Sequence, residues 1–188
     1  MAKPLSQMTL EELWQLFPIF LVPHKKEWDD WYQEEEKQLL QLFPSKSIKR
    51  ISHIGSTAIP NIWAKNIVDI LLEVPRDSNL QYFKQQLLNA GYLFMSESEK
   101  RLSFNKGYTE KGFAEKVFHL HLRYQGDHDE LYFRDYLKEH PAIAKEYESL
   151  KLSLWKAYEH NRDAYTDAKT DFIRKYTQQA KKDHKGRY

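Results

Sequence analysis

The chain has 188 residues and a mass of 22.6 kDa, and its 41% hydrophobic and 14% aromatic content predicts a globular fold with a sizeable core rather than disorder. The absence of cysteine excludes disulfides, thiol nucleophiles, iron–sulfur clusters and Cys-ligated zinc. With 29 Lys and Arg against 27 Asp and Glu, the net charge of +2 gives no strong signal for binding duplex nucleic acid.

The N-terminal segment predicts a short lead followed by a capped helix. Residues 1–8 are typical of a flexible lead, and Thr9 and Glu12 have capping-box spacing before a helix that ends ahead of Pro18. The apolar stretch over 17–23 holds two prolines, is too short to cross a membrane and lacks the layout of a signal peptide. We therefore expect a cytoplasmic protein with no membrane partner.

A brief edge strand over 19–22 and a second helix over 24–42 complete the N-terminal part. This helix carries an acidic cluster over 34–36, which its amphipathic pattern places on a solvated face. Pro44 ends the helix, because proline cannot continue the hydrogen-bond ladder.

The middle of the chain is predicted to form a sheet interrupted by one helix. Short apolar and β-branched runs indicate strands over 48–54, 67–74, 92–95, 101–105 and 116–123. Between the second and third strands, the apolar spacing predicts a helix over 78–90 that Gly91 caps. The two glycines within 106–115 favour a hairpin connection there, long and mobile.

From residue 127 onward the chain returns to a helical period. Helices are predicted near 128–138 and over 163–180. The helix between them has an apolar stripe formed by Ile143, Tyr147, Leu150, Leu154 and Tyr158. We interpret the aromatic residues of these helices as core.

The order of elements predicts an α/β (α+β) fold in a single domain over 1–188. Several strands follow one another directly, so the sheet should be mixed rather than all parallel. We expect a mixed β-sheet core flanked by helices over 18–125, and C-terminal helices over 127–180 that pack on this core.

The first chemical signal is the turn Gly55, Ser56 and Thr57, directly after a predicted strand. A glycine lets backbone N–H groups approach a phosphate without a Cβ in the way, the hydroxyls are further donors, and Lys65 can add a positive charge. A Gly-Ser pair alone is more often an ordinary turn. His53, just before the turn, either orients it or is a satisfied core histidine.

A carboxylate inside the apolar run over 67–74 is the second signal. Asp69 lies in what reads as a buried central strand, and a buried carboxylate is costly unless it is paired or binds a metal. Glu73 shares its face of the strand and is a further candidate ligand. The alternatives are a salt bridge from Asp69 to a nearby Arg or Lys, and a surface position for Glu73.

A strand with alternating histidines is the third signal. His119, His121 and Arg123 point to one face of the predicted strand, where two imidazoles can bind a metal or a phosphate, and Arg101 can join them from the preceding strand. Structural or surface histidines are the simpler alternative. The remaining histidines are expected at the surface or in caps: His24, His128, His140, His160 and His184.

Taken together, these motifs resemble the GrpB family. The resemblance rests on the run His-Ile-Gly-Ser-Thr-Ala-Ile-Pro over 53–60 and on Ala-Lys and Ile-Val-Asp-Ile over 64–70. Segments of the C-terminal half resemble the family as well: 133–137, His140-Pro141, Tyr147, Leu150-Lys151 and 165–169. The resemblance extends over roughly 18–178.

The GrpB family is similar to the nucleotidyltransferase superfamily, and this implies a nucleotidyltransferase-like α/β core. In that superfamily a Gly-Ser turn is followed by strand carboxylates that bind Mg²⁺ or another divalent metal, and the twelve residues between Ser56 and Asp69 suit this pattern. The chain departs from it at position 71, where active members carry a second carboxylate and this chain has Leu. The candidate third strand likewise offers His119 and His121.

Two functions follow as hypotheses, both with a small phosphorylated or nucleotide substrate. The first is an enzyme that transfers a nucleotidyl or phosphoryl group to a small acceptor, with Asp69 as the catalytic residue. Its metal ligands would be Asp69, His119, His121 and Glu73. Its phosphate-binding residues would be Gly55, Ser56, Thr57, Lys65, Arg101 and Arg123.

The second function is a catalytically inactive module that binds a nucleotide or a phosphorylated metabolite. The missing carboxylate at position 71 favours it. A third hypothesis is a protein-interaction role of the C-terminal helices, for which the sequence names no partner. The sequence does not indicate an oligomeric state.

Overall fold

The computed structural model describes residues 3–188. Of the predicted lead, residues 1 and 2 lie outside the described residues, and Leu5–Gln7 form a short 3₁₀ turn. Helix α1 (Leu10–Leu16) begins at the predicted capping box, in which Thr9 and Glu12 bond reciprocally. Helix α2 (Glu27–Leu42) buries Trp28.

Two predictions for the N-terminal part are wrong. The segment 19–22 forms no edge strand, and only Val22 pairs, in an isolated bridge with Ala64. The acidic cluster of α2 is not wholly solvated, because Glu35 is 3% exposed and accepts hydrogen bonds from the Tyr92 hydroxyl and the Lys106 amino group. These two donors satisfy a carboxylate that the apolar environment would otherwise exclude.

Five strands form one mixed sheet, as predicted. In chain order they are β1 (Arg50–Ile54), β2 (Val68–Val74), β3 (Leu93–Ser98), β4 (Arg101–Thr109) and β5 (Gly112–Tyr124). Their order across the sheet is β1-β2-β5-β4-β3, with β2 and β5 parallel and the other neighbours antiparallel. Helix α3 (Leu80–Asn89) connects β2 to β3 and ends before Gly91, whose φ is +89°.

The hairpin between β4 and β5 is shorter than the sequence predicts. The strands run almost to each other, so the expected mobile connection over 106–115 is mostly ladder with a tight turn. Gly107 does not lie in a loop: it has φ +88° at a register shift between Lys106 and Tyr108 and packs against the Lys116 carbonyl. A glycine inside a strand often marks such a bulge.

Both faces of β2 are covered, but by different partners. The side chains of Val68, Ile70, Leu72 and Val74 pack with α2 and α3 in the main apolar cluster. The opposite face carries Asp69, Leu71 and Glu73, and Leu71 packs with Leu131 of the C-terminal region. Asp69 therefore faces the C-terminal helices.

Four helices follow the sheet: α4 (Asp129–Glu139), α5 (Pro141–Tyr158), α6 (Arg162–Asp167) and α7 (Thr170–Asp183). The single helix predicted over 163–180 is thus divided, and Lys169 lies at the break. Buried aromatic rings such as Phe133 and Tyr176 form a second apolar cluster, in line with the prediction. Within residues 3–188, every helix is too short or too polar to cross a lipid bilayer.

Candidate functional site

A cleft of about 820 Å³ lies between the sheet and the C-terminal helices. Most residues that the sequence singles out line it: Gly55, Ser56, Thr57, Lys65, Asp69, Arg101, His119 and His121. The helices contribute Tyr147, Lys151, Arg162, Tyr165 and Lys169. The fold therefore brings the Gly-Ser turn, the strand aspartate and both imidazoles to one cavity.

Gly55 lets the turn approach Asp69 directly. In the antiparallel pairing of β1 with β2, Ile54 lies opposite Asp69, and Gly55 follows with φ +72° and ψ −172°. Only glycine adopts this region readily. A Cβ at Gly55 would lie 2.5 Å from Oδ2 of Asp69, so the carboxylate packs on the turn itself.

His53 holds the turn from its other side. Its Nε2 atom lies 2.9 Å from Oγ1 of Thr57, and its ring stacks on Tyr32. Burial lowers the pKa of His53 to about 4, so the imidazole is neutral near pH 7. Of the two roles considered for His53, the contact with Thr57 fits orienting the turn, while the ring is only partly buried and lines a separate cavity instead of the core.

Asp69 contacts two imidazoles. The parallel pairing of β2 with β5 places it beside His119, and Oδ1 of Asp69 lies 3.3 Å from Nδ1 of His119 and 3.5 Å from Nε2 of His121. The Asp69 side chain is 27% exposed. Its partners are histidines, not the Arg or Lys of the simpler alternative.

A chain of contacts extends from His119 to the C-terminal helices. The Tyr108 oxygen lies 2.7 Å from Nε2 of His119, and Nη2 of Arg162 donates a hydrogen bond of 3.1 Å to the same oxygen. Because a guanidinium only donates, the Tyr108 hydroxyl is free to donate to Nε2 of His119. The N–H of this imidazole then lies on Nδ1, facing Asp69.

The protonation states of Asp69 and His119 follow from their burial and from their hydrogen-bond partners. Burial by itself raises the pKa of Asp69, but hydrogen bonds from His119 and His121 outweigh burial and hold that pKa below its usual range. Burial lowers the pKa of His119, and the nearby Asp69 offsets only part of this. Near pH 7 the site therefore holds an ionised carboxylate beside a neutral His119.

Three lysine amino groups meet in the cleft. Lys151, 2% exposed, donates to the Trp63 carbonyl at 2.5 Å, while Lys65 and Lys169 lie over the Tyr165 ring at 5.2 and 4.4 Å from its centroid. Burial lowers the pKa of Lys151 to about 7 and that of Lys169 to about 8. Burial, together with Lys169 and Arg162, holds the pKa of Lys65 well below its usual value.

Several buried polar atoms of cleft residues have no hydrogen-bond partner within residues 3–188. They are the Tyr165 hydroxyl, Nε of Arg162, Nδ1 of His121 and Oε2 of Glu130. An unsatisfied buried donor is costly. Oxygen atoms of a ligand would satisfy the hydroxyl and the guanidinium N–H.

Glu73 lies outside the cleft, contrary to its predicted role as a metal ligand beside Asp69. It is fully buried, accepts a hydrogen bond of 2.5 Å from Nε of Arg50 and lies 2.9 Å from Nδ1 of His128. The surface position considered for Glu73 is also wrong. His128, predicted at the surface or in a cap, stands at the N-cap position of α4, but its side chain is buried against Glu73 and does not cap the helix.

The two predicted arginines already have acidic partners. Arg123 does not line the cleft, and its guanidinium lies 3.5 Å from Asp127 and 3.3 Å from Glu130. Arg101 lines the cleft but forms two hydrogen bonds with the Asp127 carboxylate. The acidic partners offset the charge of both arginines, whereas Lys65 and Lys169 form no ion pair within residues 3–188.

The residues around Asp69 do not fit the Mg²⁺ site that the resemblance implies. Mg²⁺ prefers oxygen ligands in octahedral geometry, whereas this face offers one carboxylate and two imidazoles, with Leu71 at the second position. Across residues 3–188, no group of three or more His, Asp or Glu side chains is placed to hold a metal ion.

The basic residues of the C-terminal helices were not among the predicted site residues. Their aromatic pattern predicts core helices, and the buried rings of these helices confirm this in part. One signal was available: Lys151 interrupts the apolar stripe of α5 one turn after Tyr147. Lys169 likewise follows Tyr165 by four residues, inside a segment that carries the family resemblance.

The sequence and the fold both match known proteins. A family model described as GrpB protein matches residues 18–179. The crystal structure of the conserved protein GrpB from Enterococcus faecalis superposes with a TM-score of 0.76 at 29% identity, over 87% of this chain and 98% of that one.

Two curated relatives extend the comparison. The glutamate-rich protein GrpB of Alkalihalophilus pseudofirmus is 36% identical over 161 residues, which cover 82% of this chain and 91% of that protein. The UPF0157 protein YqkA of Bacillus subtilis is 34% identical over 188 residues, 97% of this chain. The chain spans 54% of the length of YqkA, about half of that relative.

Proposed function

The chain belongs to the GrpB family, and we propose that its cleft binds a small ligand through a phosphate group, as in a nucleotide or a phosphorylated metabolite. One observation carries this proposal. Seven Lys or Arg residues line the cleft against three Asp or Glu, whereas the whole chain has 29 against 27. This formal surplus of basic groups favours an anion, which would also keep the buried amines protonated.

The ion pairs of the charged cleft residues indicate where in the cleft the anion would bind. Among the cleft acids, Asp129 pairs with Lys181, Glu130 lies near Arg123, and Asp69 contacts imidazoles. Lys65 and Lys169 have no acidic partner in residues 3–188, and the unsatisfied Tyr165 hydroxyl belongs to the ring beneath them. A phosphate there would neutralise the lysines and accept from Tyr165, while the Gly55–Thr57 turn supplies further donors.

Binding can be tested with pyrophosphate and ATP. A ligand at 100 times its dissociation constant stabilises a protein by about 2.7 kcal/mol, which a thermal melt detects. Replacing Lys169→Gln removes one charged donor and should weaken binding by about tenfold or more. Lys156→Gln, at an exposed position of α5, is the matched control and should change nothing. If no phosphate compound shifts the melt of the unmodified chain, the proposal fails.

A second candidate function, transfer of a nucleotidyl or phosphoryl group, is supported by the carboxylate–imidazole arrangement. Unlike the buried contact of Glu73 with His128, the contact of Asp69 with two imidazoles lines the cleft. In transfer, a hydroxyl oxygen of the acceptor bonds to phosphorus, the bond to the leaving phosphate or pyrophosphate breaks, and the hydroxyl proton passes to an imidazole. His121, with Nε2 facing Asp69 and Nδ1 unpaired, is suited to accept it. The lysines would stabilise the leaving anion.

Asp69→Asn separates the two candidates. The substitution removes negative charge from the cleft, so pyrophosphate binding should be kept or strengthened, while transfer should be lost. The measurement is pyrophosphate release from each of the four nucleoside triphosphates, with water as the acceptor. Release by the unmodified chain that Asp69→Asn abolishes supports transfer. Binding without any release leaves the binding module alone.

A further inference from the structure

A second cavity adjoins the phosphate cleft. It has a volume of about 450 Å³ and shares two wall residues, Lys65 and Ile67, with the cleft. Its other walls come mainly from the N-terminal segment, α2 and the start of β5. Of these three elements, only β5 also lines the phosphate cleft, through residues further along the strand. The two cavities are therefore neighbours on either side of the segment that leads into β2.

Aromatic rings dominate this second cavity. Phe20, Trp31 and Phe113 line it, and Phe20 contacts Phe113 edge to face at 6.0 Å between centroids. All three side chains are only partly buried. Phe113 also packs against Phe17, and Trp31 packs against the main apolar cluster, so each ring presents only part of its surface to the cavity. Such rings stack on planar ligands, and stacking does not depend strongly on which ring is bound.

Four polar side chains line this cavity: Lys25, Lys65 and Asn66 carry donors, and Glu115 carries a carboxylate. Trp28 donates its indole N–H to Oδ1 of Asn66 at 2.9 Å, and because indole is a donor only, this contact fixes the orientation of the Asn66 amide. The NH₂ group of Asn66 has no partner within residues 3–188. Lys25 and Lys65 add two amino groups to the walls. A ring with carbonyl or ring-nitrogen acceptors would pair with them.

From these contacts we propose that the second cavity binds the planar heterocycle of the ligand whose phosphate occupies the cleft. The inference rests on the proposed phosphate binding and adds to it a class of ligand: a nucleotide, with its base between Trp31, Phe20 and Phe113. Asn66 and Lys25 then contact acceptor atoms on the edge of the base. Lys65, common to both cavities, lies between base and phosphate.

The test compares ligands with and without a base. Calorimetric titration with pyrophosphate and with ADP, GDP, CDP and UDP measures what a base adds to binding. We expect at least one nucleoside diphosphate to bind about tenfold more tightly than pyrophosphate, the contribution of one stacked base. Trp31→Leu should remove this advantage and leave pyrophosphate binding unchanged. Trp63→Leu, at an exposed tryptophan outside the cavity, is the matched control.

A second variant keeps the test valid if Trp31→Leu does not fold. Asn66→Asp keeps the oxygen that accepts from Trp28 and removes the NH₂ donors, so it should also reduce the advantage of the base. If all four diphosphates bind no better than pyrophosphate, or if their advantage survives both substitutions, the inference is overturned while phosphate binding stands. If pyrophosphate and the diphosphates all fail to bind, the proposed function itself fails.

Discussion

Gly55 is the residue on which the geometry around Asp69 depends most directly. Its φ and ψ lie in a region that only glycine adopts readily, and a Cβ would collide with Oδ2 of Asp69. We predict that Gly55→Ala destabilises the chain by about 1–3 kcal/mol and also weakens pyrophosphate binding, because the turn must move. Denaturant unfolding and calorimetry measure the two effects.

Gly91→Ala is the control for this prediction. Gly91 also has a positive φ, +89°, but a Cβ there would meet nothing within 4 Å, and the residue lies outside the cleft. The substitution should cost strain energy through the positive φ alone and leave binding unchanged. Equal losses of binding in both variants would show that Gly55 acts only through stability.

The pH dependence of anion binding tests the lysines. Lys151, with a pKa of about 7, and Lys169, with a pKa of about 8, lose their protons as the pH rises from about 6 to about 9. Affinity for sulfate, which does not titrate in this range, should therefore fall, by at most about tenfold per pH unit for each lysine. In Lys151→Arg, which stays charged, the fall should be smaller. A flat profile in the unmodified chain would contradict the assigned charges.

The lowered pKa of Lys151 predicts that the stability of the ligand-free chain rises with pH, whereas its affinity for anions falls. Between pH 7 and about 10.4, unfolded Lys151 is protonated while the buried amine is neutral, so the unfolded state binds more protons. This term makes the free energy of unfolding rise with pH across that window. A ligand anion, which holds the proton in place, should reduce the slope.

Among single residues, the sequence identifies as site candidates those whose chemistry conflicts with the pattern around them. Asp69 stands out because a carboxylate interrupts an apolar strand, and Gly55 because a glycine follows a strand. Glu73 has the same pattern as Asp69, yet Arg50 and His128 pair with it. These partners lie 23 and 55 positions away, and pairing over such separations is decided by tertiary structure.

Helix α2 shows how two neighbouring residues on one element differ. Glu35 is buried against Tyr92 and Lys106, whereas Glu34 is exposed and pairs with Lys116 at the surface. We predict that Glu35→Ala destabilises the chain by about 2–3 kcal/mol, because it leaves the Tyr92 hydroxyl without an acceptor and the Lys106 amino group with Gln38 alone. Glu34→Ala should cost about 0.5 kcal/mol or less. Thermal unfolding of both variants measures the two effects. Equal losses of stability would contradict the different roles assigned to Glu35 and Glu34.

The predictability of the elements depends on how local their signals are. The five strands of the sheet and α3 are predicted in the right places because apolar periodicity and Gly91 act over a few residues, whereas the strand predicted over 19–22 is absent. The hairpin over 106–115 is mispredicted because Gly107, which serves a bulge, looks identical in sequence to a loop glycine. The break at Lys169 has no proline or glycine to mark it.

At the scale of the molecule, the two halves of the chain contribute different parts of the cleft. The sheet supplies the turn, Asp69 and the imidazoles, while α5, α6 and the break before α7 supply Lys151, Arg162 and Lys169. Composition could not reveal this, because the net charge of +2 hides a basic surplus confined to one cavity. A ligand that needs both sets must link the C-terminal helices to the sheet.

This linkage makes a last prediction, on hydrogen exchange. Pyrophosphate bound between the two halves should slow amide exchange in the Ser56–Ala58 turn and in α5 and α6, because opening either half would break its contacts with the anion. The edge strand β3, which is exposed and lies at the far side of the sheet, should exchange equally fast with and without the ligand. Protection confined to the sheet, or to the helices, would mean that the anion binds only one half, and the assignment of the lysines or of the turn would then be wrong.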